Sequence, residues 1–398
     1  MTKISSRIAA IEPSATFAVF DRVQLLRAQG VTVLDLSGGE PEFATPQPIC
    51  AAACDAIDAG WTHYGPSRGL PALREAIARK LEVDNDLKVD PATDVIVTPS
   101  AKHALFIALS AIAGPGDEVL IPTPSWVSYK AMAQLAGATP VELPLSGADA
   151  FRLREGALRE RITPRTRAIV VNSPNNPTGH MLDAHEVALL ARVAREHDLL
   201  LVSDEIYEKV VFGERAHLSV GAHPDARGRT LTINGFSKAY AMTGWRLGWL
   251  SGPAELVEAA LTVHQHTVGC TSSFIQQAGV AALATPPQVL REMVDHYRTR
   301  RDLVVDGLAG VPGLVCLRPD GAFYAFVDVS GLGRGTGAQV ADWLLRTAGV
   351  VVTGSEGFGA GGRDYIRLAF AGATAVVQEA VGRIRDAVLN EQTAAAVS

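Results

Sequence analysis

The sequence predicts an α/β protein, with a larger unit built on a mostly parallel, mixed seven-stranded sheet flanked by helices and a smaller α+β unit made from both chain ends. Three observations carry this. Between about residues 90 and 250, short β-rich runs alternate with helical patterns, the rhythm of a layered α/β fold. Most of those runs are nearly continuous in Val, Ile and Leu, as strands covered on both faces are. The chain has 398 residues, more than one hydrophobic core ordinarily holds.

In order along the chain, residues 1–45 carry a short helix, the apolar strand VTVLDLSGG and a Gly/Pro turn. Residues 46–284 form the larger unit. Its strand candidates are DVIVTP, DEVLIPTP, TPVELPL, RAIVVNSP, LLLVSDE, TLTINGF and RLGWLSGP, with KHALFIALSAIA and AHEVALLARVAREHD among the intervening helices. RLGWLSGP follows its neighbour too closely for a helical crossover and reads as antiparallel. Residues 285–398 open with the charged helix LREMVDHYRTRRDLVVDGLAG, continue through the short strands GAFYAFVDV and YIRLAF, and close in a helix near VVQEAVGRIRDAVL. Past Leu389 the Ala- and Gln-rich end is expected to fray. No internal repeat is visible.

Composition narrows the function. The chain is 47% hydrophobic and 20% charged, with a formal net charge of −6, which suits a packed globular protein and gives no general attraction to nucleic acid. RTRRDL, Arg298 to Leu303, reads as a solvated helix face. The N-terminus lacks the long apolar segment of a secretory signal, and no run is long enough to span a bilayer. Four irregularly spaced cysteines argue against a disulfide framework and against zinc. Cys50 and Cys54, at i,i+4 on a helix, read as small core-facing residues. A soluble, cytoplasmic protein without a metal is expected.

In open α/β sheets, ligands bind beyond the carboxyl ends of the strands. Those positions here hold Ser100-Ala101-Lys102, Ser125-Trp126, Asn175-Asn176-Pro177-Thr178-Gly179, Asp204-Glu205-Ile206-Tyr207 and Ser237-Lys238. Each has an ordinary explanation: Ser100 as a helix N-cap, Trp126 as core filler, Asn176 as a turn residue. Together they offer an anion site, an aromatic plate, an amide, a carboxylate and a lysine. Asp204 directly follows an apolar strand, where an unpaired carboxylate is costly and a cationic partner is called for. Lys238 sits among small and apolar residues, where desolvation lowers an ammonium's pKa and makes a usable amine nucleophile. Arg246, eight residues on, is an anion clamp or a partner in a structural ion pair.

The strings LSGGEPEF, THYGPSRGLPALREAI, VNSPNNPTG, SDEIY, FSKAYAMTGWRLGW and YIRLAF, in that order over nearly the whole chain, resemble the class I, fold-type I aminotransferases that depend on pyridoxal 5′-phosphate (PLP). The resemblance is nearest to the bacterial aspartate and aspartate/prephenate subgroup. It implies that Lys238 carries the cofactor covalently and shuttles protons, and that Asp204 pairs with the pyridinium nitrogen. Tyr207 and Asn176 would donate to the ring oxygen, and Trp126 would stack on the ring. Ser100, Ser237, Arg246 and the backbone N–H groups of Ala101 and Lys102 would hold the phosphate at a helix N-terminus. Arg367 and Gly39 would receive the substrate α-carboxylate, with Asn176 also at the substrate. Tyr64 would reach the phosphate of a partner subunit, implying a homodimer with shared sites. The implied reaction moves an amino group from an L-amino acid to a 2-oxo acid by a ping-pong route through pyridoxamine phosphate.

Thr16, in PSAT, and Lys102 match subgroup positions that receive a second carboxylate; Lys102 also reads as a solvated helix residue. Several positions depart from the subgroup: Pro99-Ser100-Ala101 replaces a glycine-richer turn, Arg68 stands where a small residue is common, and Thr353 where proline is frequent. HQHTVGCTSSF, His264 to Phe274, stands where a Ser/Thr/Asn-rich loop is usual. These are expected near the substrate pocket, with Arg68, in the loop that would reach the partner's site, recognising an extra anionic group or facing solvent. The same constellation also supports elimination, replacement and C–C bond-forming enzymes. A non-catalytic regulator is the remaining class, against which stand the retained Lys238 and Asp204 and the lack of room for a DNA-binding domain.

Overall fold

A computed structural model describes residues 4–397. Its strands in chain order are β1 (Leu34–Asp35), β2 (Val95–Thr98), β3 (Glu118–Thr123), β4 (Thr139–Pro144), β5 (Thr166–Asn172), β6 (Leu200–Asp204), β7 (Thr230–Gly235) and β8 (Gly248–Ser251), followed by β9 (Val315–Cys316), β10 (Tyr324–Asp328), β11 (Val350–Val351), β12 (Thr353–Gly354) and β13 (Tyr365–Ala369).

Seven strands form one sheet in the order β2-β8-β7-β6-β5-β3-β4. β8 runs antiparallel to both its neighbours, β2 and β7, and the remaining pairings are parallel. The apolar runs are continuous because both faces are covered. On β5, Ala168 and Val170 pack with Leu105, Leu109 and Leu261 of the helices Ala101–Ile112 and Ala254–Thr267. The alternate residues Ile169 and Val171 pack with Leu190 and Val193 of the helix Ala184–Glu196. β4 is the more exposed edge strand and carries Pro140 and Pro144, residues that an edge tolerates because a missing N–H faces no partner there.

Residues from both ends meet in smaller sheets. β1 pairs in parallel with β11, and β12-β13-β10-β9 form an antiparallel sheet. The Ala369 N–H donates to Leu36 O at 2.7 Å, so the turn after β1 lies against the end of β13. The helices Pro287–Leu308, Gly337–Ala348 and Thr374–Val397 contribute to the core around these strands. The closing helix continues past Leu389, where a frayed end is expected from composition.

Two other expectations change. Cys54 is exposed and Cys50 half-buried, because the helix Gln47–Asp58 buries Ile49, Ala53 and Ala56 instead. His264 to Phe274 is largely helical: His264–Thr267 end one helix and Ser273 begins the next, Ser273–Leu283. No helix among the described residues is long and apolar enough to cross a membrane.

Candidate active site

The parallel strands β2, β3, β5, β6 and β7 deliver their following loops to one end of the sheet. There a cavity of about 990 Å³ opens between the seven-stranded sheet and the segments around Gly39, Tyr324 and Arg367. Thr16, Gly39, Ser100, Ala101, Lys102, Trp126, Asn176, Asp204, Tyr207, Ser237, Lys238, Arg246 and Arg367 all line it. Tyr64 does not: it is 97% exposed and borders a separate depression with Trp61 and His63.

Asp204 ends β6 and is 4% exposed. Tyr129 donates its O–H to Oδ2 at 2.7 Å, and the Ile206 N–H donates to Oδ1 at 3.2 Å. No cation pairs with it among the described residues, and burial pushes its carboxyl up to about 6 despite the Tyr129 hydrogen bond. Its neighbours hold it still. Asn172, opposite it in the β5–β6 register, donates through Nδ2 to Asp204 O at 2.9 Å and accepts the Asn176 N–H at 2.8 Å. Behind it, the fully buried Glu205 accepts from Ser203 Oγ at 2.8 Å and lies 3.1 Å from His217 Nε2, while Lys80 pairs with Glu208. Glu205, Glu208 and His217 have the donors of a metal site, but the ammonium of Lys80 already supplies a cation there.

Lys238 points into the cavity from the loop after β7. Its Nζ donates to Gly39 O at 2.6 Å, and burial lowers its pKa to about 8, with Glu40 partly opposing. Arg367, on β13, is 1% exposed and meets no carboxylate among the described residues. It donates from Nη1 to Asn176 Oδ1 at 3.0 Å and from Nη2 to Ser37 O at 2.8 Å, while its buried Nε has no partner. Its guanidinium lies over Tyr324 and Phe358, 4.5 and 5.1 Å from the ring centroids. A buried guanidinium with an unused donor is suited to an anionic partner.

The other end of the cavity is also cationic. Ser100 caps the helix Ala101–Ile112, its Oγ accepting the His103 N–H at 3.3 Å, so the N-cap explanation holds alongside its place in the cavity. Ala101 and Lys102, which open that helix, line the cavity together with Ser237 and Arg246. Arg246 binds Thr243 O at 2.7 Å and has no carboxylate partner among the described residues. Lys102 has a lowered pKa, from burial and then from the Arg246 charge. Its Nζ lies 4.9 Å from the Trp126 and 5.2 Å from the Phe17 ring centroids. Gly248 makes the close packing possible: a Cβ there would stand 2.4 Å from Ala101 N.

Some of the departures fall elsewhere. Arg68 does not line this cavity: it is part-exposed, bound to Glu258 and donating to Thr93 O at 2.8 Å. His264 is fully buried and lies 3.2 Å from His103. Thr353 does touch the site, its Oγ1 accepting from Arg367 Nη2 at 3.4 Å. A further depression of about 930 Å³, between the helices Pro287–Leu308 and Thr374–Val397, is lined by residues such as Arg383 and Glu379 that are paired at the surface. Tyr129, Asn172, Ser37, Tyr324 and Gly248 were not expected from the sequence. Ser37, Asn172 and Gly248 lie inside the strings LSGGEPEF, VNSPNNPTG and FSKAYAMTGWRLGW with no role read for them, and Tyr129 follows Trp126 by three residues.

The cavity thus has an unpaired carboxylate at its floor, a deprotonatable amine beside it, a cationic cradle at one end and a buried guanidinium at the other. That set fits an aromatic cofactor with a ring cation and a phosphate, together with a carboxylate substrate. The model of the family "aminotransferase class I and II" matches residues 31–384. An aspartate aminotransferase of Musicola paradisiaca is 45% identical over 98% of this chain and 97% of its own length. A probable aspartate/prephenate aminotransferase of Thermus aquaticus is 40% identical over 98% of this chain and 100% of its own. Among solved structures, the aspartate aminotransferase of Thermus thermophilus with maleate superposes with a TM-score of 0.92 at 41% identity, covering 97% of this chain and 100% of that one. The chain belongs to the class I and II aminotransferases, and it is a PLP-dependent enzyme of that family.

Proposed function

We propose that this enzyme moves the α-amino group of an aspartate- or glutamate-like L-amino acid to a 2-oxo acid in two half-reactions at one site. The carrying observation is that Asp204, Lys238, Arg246, Lys102 and Arg367 share one cavity without an ion pair to any described residue. When bound, PLP supplies an electron-withdrawing ring conjugated to the substrate amine. Asp204 would keep the ring nitrogen protonated, because a cation there gives its buried carboxylate the partner it lacks. Tyr129 and Asn172 would hold that carboxylate in place, and Trp126 would cover the ring. Ser100, Ser237, Arg246 and the N–H groups of Ala101 and Lys102 would take the phosphate. Arg367 would take the substrate α-carboxylate, with the Gly39 backbone beside it. Lys238 Nζ, uncharged in an appreciable fraction near pH 8, would hold the cofactor and, once released, lift the α-proton and return it. Tyr207 and Asn176 would donate to the ring oxygen.

A dicarboxylate preference is supported by two unused groups at the cavity wall. The buried Thr16 Oγ1 has no partner, and the Lys102 ammonium is held between Phe17 and Trp126. The relative with maleate carries a dicarboxylate. We assign residues 46–284 as the cofactor-holding domain, and residues 1–45 and 285–398 as the domain that brings Thr16, Gly39 and Arg367. We assign Tyr64, exposed here, to the phosphate site of a second copy in a homodimer. The four unpaired cysteines are in keeping with a cytoplasmic site.

The test is a half-reaction. Loaded enzyme mixed with aspartate alone should release one equivalent of 2-oxo acid per site and no ammonia. Ammonia release or loss of a β-substituent would make it an elimination or replacement enzyme instead. Lys102→Ala should lower the preference for acidic over neutral donors, and an unchanged preference would remove the dicarboxylate reading.

A further inference from the structure

Tyr324 lines the cavity between Tyr207 and Arg367. It opens β10, is 2% exposed, and lies on the strand paired with β13, which carries Arg367. Its hydroxyl is 2.9 Å from the Tyr207 hydroxyl, and its ring covers the Arg367 guanidinium at 4.5 Å. Gly39 leaves room for it: a Cβ there would sit 2.2 Å from the Tyr324 oxygen. Among the described residues, the Tyr207 and Tyr324 hydroxyls have no hydrogen-bond partner but each other. The charged groups around them are Arg367 from β13, Asp204 at the end of β6, and Lys238, whose Nζ is 5.9 Å from the Tyr207 ring centroid, with Glu40 acting on Lys238.

We propose that Tyr324 is a positioning residue that turns Tyr207 toward the cofactor and Arg367 toward the substrate. Either hydroxyl can donate in the isolated pair. Beside an anionic ring oxygen, the order Tyr324 O–H to Tyr207 O–H to ring oxygen uses both protons, whereas the reverse order turns a lone pair on the anion. The first order also strengthens the second bond by polarising it. The Tyr324 ring meanwhile fixes the plane of the guanidinium, so one side chain serves both the cofactor contact and the carboxylate contact.

This inference rests on the reading that Tyr207 donates to the cofactor, and the two are tested separately by the pH dependence of the bound cofactor's visible absorbance in the loaded enzyme. Losing a donor leaves the ring oxygen holding its shared proton more tightly, so the titration midpoint should rise. Tyr324→Phe should raise it by roughly half a pH unit, the size one neutral hydrogen bond carries into a proton affinity. Tyr207→Phe should raise it further, and the double variant should match Tyr207→Phe alone. Tyr324→Phe keeps the ring and should leave KM for the amino donor unchanged, whereas Tyr324→Leu should raise it several-fold. An unmoved midpoint in Tyr324→Phe, a shift that adds in full in the double variant, or an unchanged KM in Tyr324→Leu overturns the proposal. If Tyr207→Phe itself leaves the midpoint in place, the Tyr207 reading fails and this inference falls with it.

Discussion

Replacing Gly248 by alanine should damage cofactor binding through a backbone contact rather than through any group that touches the cofactor. Gly248 lies in β8, held by the ladder with Thr98 on one side and Gly235 on the other. A Cβ there would stand 2.4 Å from Ala101 N, 2.6 Å from Ser100 C and 2.9 Å from Asn234 O. All three are backbone atoms, so no side chain can rotate away. With β8 pinned on both edges, the start of the helix Ala101–Ile112 has to retreat by about 1 Å to regain ordinary contact, at an overpacking cost of about 1–3 kcal/mol. Its free N–H groups then sit too far from the phosphate. Losing one hydrogen bond to a charged group costs about 1.5–3 kcal/mol, which weakens PLP binding roughly ten- to hundredfold. The assay is titration of cofactor-free protein with PLP, beside a denaturant midpoint. Gly228→Ala is the control, because nothing lies within 4 Å of a Cβ there. A folded Gly248→Ala protein that binds PLP with parental affinity would refute the reasoning.

Ser100 has φ 109° and ψ 154°, a region nearly reserved for glycine and costing about 1–3 kcal/mol. Ser100→Gly should therefore raise the unfolding free energy by about 1 kcal/mol, read from a higher denaturant midpoint, even after the cap hydrogen bond is lost, since Gly for Ser at an N-cap costs a few tenths; a lower midpoint would count against the strain. The Asp204 carboxyl, raised by burial to about 6 from 3.8, binds its proton more tightly folded than unfolded. Cofactor-free protein should accordingly lose about 3 kcal/mol of stability as pH rises from 4 through 6. Asp204→Asn should flatten that part of the stability–pH curve, so that the two proteins agree at pH 4 and diverge above pH 6; parallel curves would contradict it. Arg68→Ala should leave the choice among acidic and neutral donors unchanged while removing the pair with Glu258, and a changed donor ranking would return Arg68 to substrate recognition.

Six of the seven strands of the large sheet were legible because a strand covered on both faces announces itself as a short apolar run; β4, the exposed edge strand, was legible from its place in the alternation. The antiparallel β8 was legible because too few residues separate it from β7 for a crossover. The small sheets were harder. β1, β11 and β12 have two residues each, too short for alternation to show; β1 and β11 are strands only through pairing between residues more than 300 apart, and β12 only through its pairing with β13. His264 to Phe274 read as a loop because its polar residues and Gly269 mask two helix ends, and the burial of His264 against His103 is a tertiary fact with no local signature.

The site divides along the same line. Residues that act from the carboxyl ends of parallel strands could be found from the sequence, because the sheet itself collects those positions. Residues that support them from another layer could not. Tyr129 looks like one more aromatic on a helix, and Tyr324 like one more apolar position in GAFYAF, until the fold brings the first to Asp204 and the second to Tyr207. The Pro99-Ser100-Ala101 turn shows a different kind of limit. It departs from a glycine-richer pattern, yet the backbone at Ser100 keeps the glycine-like conformation. The geometry is therefore imposed by what surrounds it: the Thr98–Gly248 pairing on one side and the helix start on the other. A serine retained at a strained position is explained if its hydroxyl serves both the cap and the phosphate. In that case Ser100→Gly should gain stability while losing affinity for PLP, and a glycine variant that gained both would leave the serine without a function.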